Sequence, residues 1–80
     1  MKILKFSAEW CGPCKMLQKT IDEMVLPYPI ENIDIDKNPD LAGNFGIRGV
    51  PTLVLTTSEG KEQGRIMGNK SKADIMEWLP

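Results

Sequence analysis

The residues of this chain with the types and spacing to do chemistry are Cys11 and Cys14, its only cysteines. They lie in Trp10-Cys11-Gly12-Pro13-Cys14-Lys15, between the apolar run Ile3-Leu4-Lys5-Phe6 and a helical pattern. Two thiols so placed on a strand-to-helix turn can close a small disulfide ring and reopen it. The attacking species in that reaction is a thiolate, and a free cysteine is mostly protonated at neutral pH. The sequence has no histidine, which excludes a Cys–His pair and a Ser–His–Asp triad. The activator that remains is the N-terminus of the following helix, whose free N–H groups and positive dipole end favour an anion at Cys11. Two cysteines without histidine also fall short of a zinc site, so no metal is expected.

Helix phase separates the two sulfurs. Stepping about 100° per residue, Cys14 falls within the apolar stripe of Leu17, Ile21, Met24 and Val25, opposite Lys15, Lys19, Asp22 and Glu23. Cys11 lies off that stripe at the helix start. We therefore expect Cys11 to be exposed and nucleophilic, and Cys14 to be tucked against the core as the resolving thiol. Held one turn away, Cys14 has a high effective concentration for displacing the product. Pro13 suits the first turn, where its missing N–H leaves no bond unmade.

The elements that must position this turn are legible in order. Residues 3–7 read as a nearly continuous apolar strand, and Pro27-Tyr28-Pro29 ends the first helix. Ile30 to Asp36 alternates, with Ile33 and Ile35 inward. Asn38-Pro39 opens a short helix with Leu41, Ala42 and Phe45 inward, stopped at Gly46. Thr52 to Thr56 and Gln63 to Met67 form a hairpin, and Ser71-x-x-Asp74 starts a last helix with Ile75, Met76 and Leu79 inward. The order β-α-β-α-β-β-α predicts an α/β fold. Its four-stranded mixed sheet has a parallel, right-handed first crossover and helices on both faces.

The chain is 80 residues long, is 41% hydrophobic and 26% charged, and carries a net charge of −1, as expected for a single globular domain over residues 1–80. No cluster of Lys and Arg marks it for nucleic acid or an anionic membrane. No run spans a bilayer, and Met1-Lys2 leads straight into a strand without a signal-peptide pattern, so the expected location is cytoplasmic. Met16, Met24, Met67 and Met76 read as core filler. Asp34, Asp36 and Asp40 read as solvated charges or caps; a calcium loop would need a Gly and a distal Glu at spacings this chain lacks.

A Cys-x-x-Cys near a βαβ pattern is a known mark of thioredoxin-like redox proteins. Ala8-Glu9-Trp10-Cys11-Gly12-Pro13-Cys14-Lys15-Met16 resembles the active-site signature of thioredoxins. Asn32-Ile33-Asp34-Ile35-Asp36-Lys37-Asn38-Pro39, Gly46-Ile47-Arg48-Gly49-Val50-Pro51-Thr52 and Gly68 resemble the same family at its usual spacings. No counterpart precedes the first strand for the strand and helix that full-length thioredoxins carry there, so the resemblance implies a minimal thioredoxin fold. It also implies a cis Val50–Pro51 bond facing the active site, and a docking surface for an extended client rimmed by Trp10, Gly49, Val50, Pro51 and Gly68. The implied activity is that of a monomeric protein disulfide reductase serving electron transport and cell redox homeostasis. It would need no bound cofactor beyond the Cys11–Cys14 redox-active disulfide. NADPH would act indirectly, through thioredoxin reductase or another flavoprotein reductase, and a ribonucleotide reductase is one client that fits.

Three other readings compete. One is a glutaredoxin-like protein recharged by glutathione, which Trp10 and Gly12-Pro13 disfavour. The others are a non-catalytic binding module and a dimer bridging a metal or iron–sulfur centre through Cys11.

Three positions depart from the family: Asn32 stands where it tends to have Lys, Ser7 where it tends to have an aromatic, and Lys5 is the third. Lys5 stands where thioredoxins usually carry a buried Asp thought to shuttle the proton of the second cysteine. Lys5 would share a strand face with Ile3 and Ser7, with Asp34 or Glu31 as possible partners. It either favours the Cys14 thiolate, by charge or by taking its proton, or snorkels to the surface over an uncovered face; we expect the latter.

Overall fold

A computed structural model of the chain describes all residues from Met1 to Pro80. Its elements are β1 (Lys2–Ser7), α1 (Gly12–Asp22), β2 (Ile30–Asp34), α2 (Pro39–Asn44), β3 (Thr52–Thr56), β4 (Glu62–Met67) and α3 (Lys72–Trp78). The sheet order is β2-β1-β3-β4. β1 runs parallel to β2 and antiparallel to β3, and β3 pairs antiparallel with β4. The expected α/β architecture is therefore present, and β1, the strand that delivers the Cys turn, lies inside the sheet.

Alternation along β1 divides the interior in two. Ile3 joins Leu17 and Ile21 of α1, Leu53 and Leu55 of β3, and Ile75 and Leu79 of and beside α3. Leu4 and Phe6 point the other way, to Ile33, Ala42 and Val54 under α2, with Phe45 tilted against Phe6 at a ring-centroid distance of 5.6 Å. β3 is buried along its whole length because both of its faces are covered. Each fully buried large side chain contributes about 1.5–3 kcal/mol, so these two layers hold the sheet at fixed spacing beneath the Cys turn.

Local chemistry sets the ends of the elements. Ser71 caps α3 by accepting from the Asp74 N–H at 3.1 Å, and the Asp74 carboxylate accepts from the Ser71 N–H at 3.4 Å. β2 ends at Asp34, two residues earlier than the alternation suggests. The Asp34 carboxylate accepts from the Asp36 and Lys37 N–H groups at 2.8 and 3.3 Å, which turns the chain before Asp36. Gly46 follows α2 at φ 62°, a left-handed stop open to glycine at no steric cost.

Several sequence expectations are corrected here. Helix α1 ends at Asp22, well before Pro27, and Val25 lies beyond its last turn with 94% of its surface exposed. Helical phase therefore no longer applies at Val25. Met16, Met67 and Met76 are about half exposed or more, and only Met24 packs on the core. Met16 lies between Cys14 and Leu17 on α1, out of phase with both, and Met76 is one step past the buried Ile75. Lys5 is not left on an uncovered face: it is 4% exposed, with Cys14, Lys15 and Gln18 of α1 around it.

Candidate active site at the start of helix α1

Cys11 is the N-cap of α1, in an extended conformation, with Pro13 in the first turn. Its Sγ accepts the Cys14 N–H at 3.1 Å, so a sulfur occupies the place where a capping oxygen usually sits. Cys11 and Cys14 are joined as a disulfide with their Cα atoms 5.2 Å apart. Gly12 and Pro13 between them are exposed.

Both cysteines are buried, Cys11 at 4% and Cys14 at 3% exposure, which corrects the expectation of an exposed Cys11. The capping geometry folds the Cys11 side chain back over the first turn, and the disulfide draws the two sulfurs together. Ala8 lies beside them, and Val50 and Ile35 pack on the cluster. The inequality of the two cysteines lies in backbone position: Cys11 sits at the helix mouth, where N–H groups converge, while Cys14 sits inside the first turn.

Val50, which packs on the cysteine cluster, belongs to the loop Gly49-Val50-Pro51, and the Val50–Pro51 bond is cis. Thr52 Oγ1 donates to the Gly49 carbonyl at 2.7 Å, and the Gly68 N–H donates to the Pro51 carbonyl at 2.9 Å. These two bonds fix the loop against the end of β4. Gly68 has φ 90°, a conformation that side-chain-bearing residues rarely adopt. Gly49 is approached by the Met67 Cε, 3.8 Å from where a Cβ would stand. Of these residues Val50 packs on the cysteine cluster, and Gly68 is tied to its neighbour Pro51 through a backbone hydrogen bond.

Trp10 is 69% exposed, and its Nε1–H donates to the Asp36 carboxylate at 2.9 Å. That bond orients an indole otherwise left to solvent. From the sequence alone Asp36 reads as a solvated charge. Only the placement of the β2–α2 turn beside the Cys turn reveals its role, and alternation carries no signal for it. The exposure of Met16 and Met67 has no sequence signal either, since an apolar side chain in an amphipathic pattern reads as core.

Beneath Cys14 lies an open pocket of about 210 Å³, lined by Lys5, Ser7, Ala8, Glu9, Cys14, Lys15, Gln18 and Asp34. Burial pushes the Lys5 amine below the usual lysine range, and the negative charge of Asp22 on α1 opposes that push. The two partners expected for Lys5 are otherwise engaged or too far. Glu31 pairs with Lys2 at 2.9 Å, and Asp34 shares the pocket without reaching ion-pair distance.

A disulfide at a helix N-terminus, closed over one turn and faced by an extended loop, defines a dithiol–disulfide exchange protein. The family model for thioredoxin matches residues 1–80. The chain is 42% identical over 80 residues to a thioredoxin of Chlamydia muridarum, covering 96% of this chain and 78% of that one. It is 35% identical over 81 residues to a thioredoxin of Rickettsia felis, covering 96% and 76%. Among solved structures, a mutant thioredoxin from Halobacterium salinarum superposes with a TM-score of 0.83 at 34% identity, over 94% of this chain and 67% of that one. Mitochondrial thioredoxin 3 from Saccharomyces cerevisiae, in its oxidised form, gives 0.81 at 30% identity, over 95% and 74%. The chain belongs to the thioredoxin family, and it is a thiol–disulfide oxidoreductase whose redox-active disulfide is Cys11–Cys14. No helix is long and apolar enough to cross a membrane.

Proposed function

We propose that this chain is a cytoplasmic, monomeric protein disulfide reductase that donates electrons to client proteins. In this reading thioredoxin reductase, or another flavoprotein reductase drawing on NADPH, restores its dithiol. The observation that carries the reading is the Cys11–Cys14 disulfide at the mouth of α1, with Val50 packed beside it. In the reduced protein the Cys11 thiolate, favoured by the helix N-terminus, attacks a client disulfide and forms a mixed disulfide. Cys14 then attacks Cys11, closes the ring and releases the client thiol. Two electrons pass from the dithiol to the client.

Trp10, Gly49, Val50, Pro51 and Gly68 form the client surface in this scheme. The client lies as an extended strand against Val50, and the absence of a side chain at Gly68 allows close approach. Protein disulfides are the substrate class, and a ribonucleotide reductase is a candidate client.

The test is turnover of a protein disulfide with thioredoxin reductase plus NADPH, run beside glutathione with its own reductase. The reading predicts turnover with the first pair and little with the second. Turnover with glutathione alone would replace it by a glutaredoxin-like role, and turnover with neither would leave a binding module. An iron–sulfur absorbance in the purified protein would point instead to a bridged dimer.

A further inference from the structure

The pocket beneath Cys14 has walls of both charges and one buried amine without a partner. Lys5 lies on β1, pairs with Leu53 across the sheet, and is 4% exposed. Its amine joins none of the ion pairs of the chain. No polar side-chain atom is sealed in the interior without a hydrogen bond, so this unbonded amine reaches the open volume of the pocket. A buried amine so placed is costly unless an anion meets it. Ser7, two residues further along the same face of β1, adds a hydroxyl beside it.

The remaining polar groups of the wall are acceptors. Asp34 uses its Oδ1 for the Asp36 and Lys37 N–H groups, which leaves Oδ2 free. Gln18 donates its amide N–H to Asp22 at 2.7 Å, which leaves its carbonyl oxygen free. Glu9 has only a loose contact with Lys37 at 3.7 Å. A dianion such as phosphate would meet Glu9 and Asp34 with only one buried cation to hold it. An amine alone would leave Lys5 unpaired and add a like charge. A ligand with one end of each sign satisfies both sets. The volume is about 210 Å³. A cavity of roughly 150 Å³ takes a ring of six carbons, so this one suits about eight non-hydrogen atoms.

We propose that this pocket binds a small zwitterionic α-amino acid, with its carboxylate on Lys5 and Ser7 and its ammonium toward Asp34, Gln18 and Glu9. A carboxylate beside Lys5 favours the ammonium form of that side chain and supplies the partner the fold withholds. Cys14 lines the pocket, whereas Cys11, Trp10, Val50 and Gly68 do not. The ligand therefore lies against the second cysteine and leaves the proposed client surface uncovered. The site goes beyond the exchange reading and stands independently of it.

The test is a nitrogen–proton NMR titration of the full oxidised chain. The probe is L-serine, which has both charged ends and no thiol to reduce the disulfide. Saturable shifts should appear at the amides of Ser7, Ala8 and Cys14, with a Kd on the order of 1 mM for so small a ligand. Propionate lacks the ammonium and ethanolamine lacks the carboxylate, and each should bind about tenfold more weakly or worse. Lys5→Met should weaken L-serine binding by about tenfold or more. Ser7→Phe fills the pocket while Lys5 stays in place, and it should abolish the shifts. Absence of saturable shifts in the wild-type chain overturns the proposal, as does wild-type affinity in Lys5→Met. Propionate or ethanolamine binding as tightly as L-serine overturns the zwitterion assignment. Should the variants fail to fold, the three probes on the unaltered chain decide. No step uses disulfide turnover, so failure of this site and failure of the exchange reading are read separately.

Discussion

The two faces of β1 are built to different ends. Toward α2, Leu4 and Phe6 meet Ile33, Ala42 and Val54 in a layer that is apolar throughout. Toward α1 and α3, Ile3 begins a similar layer, but the same strand then places Lys5 and Ser7 below Cys14. One face holds the sheet together over its whole length. The other does so at one end and gives its second end to the redox site. The lesson is that the strand next to a reactive turn can carry a costly buried charge only because its reverse face is packed without compromise.

The sharpest way to break that contrast is Phe6→Ala. Phe6 is fully buried and packs on Phe45, so its truncation should cost about 3–5 kcal/mol in denaturant unfolding. A loss below about 1 kcal/mol would show that the α2 face is not the stabilising one.

Lys5→Met should act in the opposite sense on the other face. Burial lowers the Lys5 pKa from 10.5, so the unfolded chain binds more protons than the folded one between the lowered value and 10.5. Stability then rises with pH through that window, and the penalty is fully present below it. Melting curves should therefore show Lys5→Met to be more stable than wild type at neutral pH, with the gain fading as pH approaches 10.5. A gain that does not depend on pH would mean that the added apolar contact, and not the charge, accounts for it.

The smallest effect concerns the rim. Met67 is 49% exposed and reaches toward Gly49, so Met67→Ala should change stability by no more than about 0.5 kcal/mol. The KM for a protein disulfide should rise while kcat holds. Equal KM values would show that Met67, beside Gly49, makes no contact with the client.

Much of this architecture is legible in the sequence because local signals agree. Period-two alternation, Pro39 and Gly46 around α2, and Ser71 with Asp74 at α3 each point to the element that forms. The Cys11-Gly12-Pro13-Cys14 turn is legible for the same reason, since a strand pattern stops where a helical one starts. What escaped depends on neighbours distant in sequence. Burial of Cys11 needs Val50, orientation of Trp10 needs Asp36, and burial of Lys5 needs the cover of α1. Exposure of Met16 and Met67 escaped because methionine is used both in cores and at adaptable surfaces, and hydropathy does not separate the two.

The central claim is that the two sulfurs have different parts, Cys11 attacking and Cys14 resolving. Mass spectrometry of reduced single-cysteine variants incubated with a disulfide-bonded protein tests it directly. Cys14→Ser should accumulate a stable mixed disulfide through Cys11, and Cys11→Ser should accumulate little. Capture of the client by Cys11→Ser as readily as by Cys14→Ser would contradict the account.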